Sequence, residues 1–102
     1  MRPLTAYRRI NKLVWMNRLP KPVIMMVDDD VMPHCHGVTF DDDYIARPVV
    51  LLNASSKHWG KTLVHEMLHI AEPHLNHGKV FDAVVNSYWR VAKQHLKGLK
   101  GS

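Results

Sequence analysis

Two histidines one helical turn apart, His65 and His69, sit in a segment whose apolar residues already demand a helix. Across residues 57–72, Trp59, Leu63, Val64, Met67, Leu68 and Ala71 recur at spacings of three and four and form one broad apolar face. Ser55 and Ser56 stand before it as the expected N-cap residues, and Pro73 ends it. On such a helix the rings of His65 and His69 lie one above the other, while Glu66 is rotated off that line. The rest of the chain has to fold around this helix and supply what its polar residues need.

Upstream, Pro3 followed by Leu4, Tyr7, Ile10 and Val14 predicts an amphipathic helix over about 3–17, with proline in its first turn. The run 23–27 reads as a strand closed by Asp28, Asp29 and Asp30, and 36–40 as a second strand. After Asp41, Asp42 and Asp43, the segment 44–53 contains the apolar run Val49, Val50, Leu51 and Leu52, a third strand covered by helices. Downstream of a short loop, 74–78, the residues Phe81, Val84, Val85, Tyr88, Ala92 and Leu96 form the stripe of a last helix, and 97–102 reads as a frayed tail. Three strands in sequence favour a small antiparallel sheet packed against three helices. The expected fold class is α+β, in one domain spanning 1–102, because 102 residues are too few for two cores.

Composition narrows the chemistry. The chain has eight His but one Cys, Cys35, which excludes an internal disulfide framework and any zinc module built on several cysteines. A reducing compartment follows, and with no apolar leader and no run of about 18 apolar residues the expectation is a cytoplasmic protein without a membrane span. The formal charge of +5 is unevenly placed: residues 1–21 carry +6, residues 22–78 carry −5 and residues 79–102 carry +4. Basic ends around an acidic centre could steer the chain to nucleic acid, although solvated helix faces account for the same pattern.

The segment His65-Glu66-Met67-Leu68-His69 is an H-E-x-x-H. With eight His and two Glu in the chain, this pattern is expected by chance about 0.01 times, so coincidence is a poor account of it. His65 and His69 are spaced to bind one Zn2+ ion, and Glu66 is placed to act as general base on water that the metal makes acidic. A catalytic zinc needs a third protein ligand and an open position. No Glu follows Glu72, so a later glutamate cannot complete the site; His77 is the first candidate, with His74, Asp82 and His95 behind it.

Other residues draw weaker readings. His58, seven positions before His65, is on the same side of the helix and either lines a cleft or faces solvent. Tyr88 could donate to a developing oxyanion but is spaced as a core residue. His34-Cys35-His36 looks like a metal cluster, yet alternate strand residues point to opposite faces. The Asp triplets lack the Gly and Glu of a calcium loop and read as turns. Trp59 and Trp89 read as packing anchors, and Asp82 as an acceptor that could orient a metal-bound His.

The H-E-x-x-H followed by His77-Gly78-Lys79-Val80-Phe81 resembles the SprT-like (Spartan-related) zinc metallopeptidases, in which a third His stands in an H-G-x-x-[FW] context. The likeness extends over about residues 4–96, with its motifs in 51–89, and is to minimal members, since one cysteine leaves no cysteine-rich ribbon. It implies a zincin-like core with the motif on the second helix, zinc on His65, His69 and His77, Glu66 as catalytic base, and protein substrates. Some members of that family act on proteins attached to DNA, so nucleic acid is a further implied partner. The expected function is a zinc-dependent endopeptidase that binds its protein substrate as an extended strand. The competing expectation is a non-catalytic, metal-stabilised module that contacts nucleic acid or a protein partner through its basic termini. A hydrolase acting on small molecules would call for a deep walled pocket.

Overall fold

The computed structural model describes residues 1–42 and 44–99. Elements follow in the order α1 (Pro3–Trp15), β1 (Val23–Val27), β2 (Gly37–Phe40), β3 (Val49–Asn53), α2 (Trp59–Ala71) and α3 (Lys79–His95). The α+β class and the three helices agree with the sequence reading. The sheet differs from it.

The strand order is β1-β3-β2, with β1 parallel to β3 and β2 antiparallel to β3, so the expected all-antiparallel sheet is mixed. β3, the most apolar strand, takes the centre and buries Val50 and Leu52 completely. The chain between β1 and β3, residues 28–48, is longer than the dozen residues a parallel return requires, and it accommodates β2 on the far edge. Period-two alternation tells which residues share a face; it does not tell which strands are neighbours.

The register assigns the two faces. Ile24, Val50 and Thr39 lie abreast, as do Met26, Leu52 and Gly37, on the side packed by helices. Val23, Val49 and Phe40, with Met25, Leu51 and Val38, lie on the other side, where Met25 and Phe40 are about half exposed. α2 is the hub: it touches α1, α3, β2 and β3. Its Leu63, Val64, Met67 and Leu68 join Tyr7, Ile10, Leu52, Phe81 and Val85 in one core cluster.

Local chemistry explains the element ends. α1 stops at Trp15 because Met16 and Asn17 adopt left-handed backbone conformations, and the Asn17 N–H returns to the Asn11 carbonyl. The buried Asn11 side chain then clamps Leu19 through both its backbone N–H and its carbonyl. α2 begins at Trp59, two residues later than the sequence predicts, with His58 in the N-cap position and no side-chain cap. Ser55 and Ser56 do not cap it. Their N–H groups are taken by Asn53, through its side-chain oxygen and its backbone carbonyl respectively, and so shape the exit from β3.

The tail also departs from expectation. Leu99 is fully buried and belongs to the core cluster, so residues 97–99 are docked rather than frayed; the remainder of the expected tail, 100–102, lies outside the described residues. No helix among the described residues is long and apolar enough to cross a membrane.

Candidate metal centre

α2 presents its polar stripe between the β2 edge and the start of α3. One turn of α2 supplies His65 and His69, and the loop after Pro73 brings His77 back over them. The Nε2 atoms of His65 and His77 are 3.1 Å apart, and those of His77 and His69 are 2.8 Å apart. Four ligands about 2.0–2.1 Å from a tetrahedral zinc are separated by about 3.3 Å, so three nitrogens converge here at nearly ligand spacing. Among the described residues this is the one cluster of three or more His, Cys, Asp or Glu side chains close enough to share an ion. His74, Asp82 and His95, the other candidates for third ligand, are not part of it.

The rings rest on an aromatic platform. Phe81, fully buried on the first turn of α3, lies 4.7 Å from the His65 ring, 4.7 Å from His69 and 5.0 Å from His77, centroid to centroid. An apolar floor fixes the rings and disfavours the charged forms of His65 and His69. Burial pushes the His65 pKa down to about 4, with the neighbouring His69 and His77 adding to the shift and Asp82 opposing it. His69 is also pushed down, by burial first and then by His77. At neutral pH His65 and His69 are therefore uncharged, the form in which imidazole binds a metal.

Glu66 follows His65 on α2, lies between the helix and β2, and is 4 % exposed. Its Oε1 accepts a hydrogen bond of 2.8 Å from the Thr39 hydroxyl, and Oε2 lies 3.8 Å from His65 Nε2, on the side of the cluster. Burial raises the Glu66 pKa, while the Thr39 donor and the nearby His77 pull it back. Thr39 was not singled out by sequence reasoning. Its signal was present in the alternation of β2: Gly37 and Thr39 share the face turned to α2, and Thr39 is the polar one. Gly37 is required by the same packing, because a Cβ there would meet Thr62 Cγ2 at 2.7 Å and Glu66 Cγ at 3.3 Å.

Two open clefts meet at this point, one of about 860 Å³ and one of about 360 Å³, and Gly37, His65 and Glu66 line both. The larger contains His34, Cys35 and His36, together with His58 and Asp82. No hydrogen bond joins Asp82 to a histidine of the cluster among the described residues; its link to the site is the charge felt by His65. The Cys35 thiol donates to the Gly37 carbonyl at 3.2 Å. The wall carrying these residues is fastened by the buried Asn53 amide, whose nitrogen approaches Asp29 Oδ1 and the carbonyls of Met32 and Cys35 within 2.9–3.1 Å.

The remaining residues resolve into structural roles. Tyr88 packs edge-on against Trp15, with ring centroids 5.3 Å apart, in the core rather than over the cluster. Trp59 and Trp89 pack against the core, and Trp89 closes over Gly60, where an added Cβ would meet its ring at 2.7 Å. The Asp triplets make turns: Asp28 caps the one at Val31, and Asp42 Oδ1 accepts from the Tyr44 N–H, while Asp43 lies outside the described residues. Comparisons with protein-family models, with curated proteins and with solved structures find no match, so the likeness to SprT-like metallopeptidases is carried by the motif residues alone.

Proposed function

We propose that this chain is a zinc-dependent endopeptidase with a zincin-like core, of the SprT-like kind. The observation that carries the reading is the convergence of His65, His69 and His77 beside a buried carboxylate that is not part of the cluster. Three imidazoles fit a zinc ion in ligand type and spacing and leave its fourth position open; a structural site would have closed it. A zinc ion held there supplies Lewis-acid polarisation of a carbonyl and makes water more acidic.

The protein's own groups perform the rest. Thr39 fixes one oxygen of Glu66, which leaves Oε2 to take the proton of the attacking water and pass it to the leaving amine as the C–N bond breaks. β2 is an edge strand; the smaller cleft runs along its Gly37, Val38 and Thr39, and the larger reaches it at Gly37. Its unpaired backbone groups suit an extended peptide that adds as a further strand and lays its carbonyl beside the cluster.

The experiment is elemental analysis after dialysis against zinc. Wild type is expected to hold about one zinc per chain, and His77→Ala well under half of that. Equal zinc in the two proteins would remove His77 from the site and the proposal with it.

A further inference from the structure

The two clefts that meet at the histidine cluster differ in charge. The larger is lined by Lys57 and Lys61, with His34, His36 and His58 nearby, against one exposed acid, Asp82. The smaller holds Asp41 and no lysine or arginine. Neither Lys57 nor Lys61 makes an ion pair among the described residues, so two ammonium groups and several imidazole N–H donors border one cavity without pairing to its acids.

The other acid of this cleft, Glu66, does not neutralise them, being nearly inaccessible and hydrogen-bonded to Thr39. Gly37, where β2 begins, borders both clefts, while Asp41, just beyond the end of β2, borders the smaller. His65, His69 and His77 all line the smaller cleft and His65 lines both, so a peptide leaving the cluster past Gly37 enters the cationic cavity.

We propose that the larger cleft is a subsite for an acidic side chain, Asp or Glu, on one side of the bond held at the cluster. Lys57 and Lys61 supply the charge, and the histidines supply ring N–H donors to the carboxylate oxygens. The inference rests on the reading of the clefts as a peptide path, but not on cleavage.

The test measures binding with Glu66→Gln, which keeps the peptide intact, loaded with zinc. Fluorescent decapeptides carrying one Glu, Gln or Lys at a central position are titrated by anisotropy. The Glu peptide is expected to bind about tenfold tighter than the Gln peptide, as two partly exposed charge contacts allow. Lys57→Ala/Lys61→Ala should reduce that preference to within twofold, and Lys57→Arg/Lys61→Arg should keep it. Circular dichroism checks that the exposed replacements leave the fold intact.

Absence of peptide binding, equal binding of the three peptides, or a preference that survives the double alanine variant overturns the proposal. So does an oligo-dT strand that displaces the peptides and depends on the same lysines, since the cleft would then serve nucleic acid. If the preference holds but zinc-loaded wild type leaves the Glu peptide uncut, the hydrolase reading fails and the subsite stands.

Discussion

Glu66 and Thr39 form a pair that 27 positions of sequence separate and one hydrogen bond joins. A buried carboxylate with a single fixed oxygen is ready for proton transfer through the other, and loss of the donor leaves it both mobile and less well solvated. Thr39→Val is expected to lower kcat about tenfold, the effect of one hydrogen bond, with zinc content unchanged, and Thr39→Ser should restore most of the rate. Steady-state kinetics beside metal analysis checks both. Tyr7 is a second buried titratable group. Its hydroxyl donates to the Pro20 carbonyl at 2.6 Å, and burial, with Asp41 adding to it, pushes its pKa up to about 12. The folded chain thus keeps a proton that the unfolded chain releases near pH 10, so this contribution is complete below about pH 10 and lost as pH rises towards 12. Between pH 9 and 11, denaturant unfolding should show wild type losing about 1 kcal/mol more stability than Tyr7→Phe.

At the scale of elements, the close approach of β2 to α2 depends on Gly37. Gly37→Ala places a methyl group against Thr62 and beside the Leu51 carbonyl, so β2 has to move off α2 and the Thr39 bond lengthens. A loss of about 1–3 kcal/mol in unfolding free energy is expected, together with reduced activity. The helices and the three strands were legible in the sequence because periodicities of 3.6 and 2 report buried faces directly. His65, Glu66 and His69 were legible for the same reason, since a helix fixes their relative directions. Strand order was not legible, because nothing in residues 36–40 says that they pair with 49–53 and not with 23–27. The cap of α2 was misread because Asn53, which looks like the last residue of an apolar strand, takes the N–H groups of Ser55 and Ser56.

For the molecule as a whole, the helices gather on one side of the sheet and the cluster lies where α2, the β2 edge and the start of α3 meet. Leu99 was expected in a tail, yet it packs near Gly60 and the Trp89 ring, and so ties the end of the chain to the first turn of the helix that carries the motif. A single apolar residue after Gly98 gives no periodic signal, which is why the sequence could not reveal it. Leu99→Ala should lower stability by about 2 kcal/mol in denaturant unfolding, and zinc should recover part of that loss because it binds the folded chain. The chemistry at the cluster is tested by casein cleavage with zinc-loaded wild type and zinc-loaded Glu66→Gln. Wild type is expected to cleave, with a rate at least about a hundredfold lower in Glu66→Gln at equal zinc content. Equal rates in the two proteins, or no cleavage by zinc-loaded wild type, would contradict it.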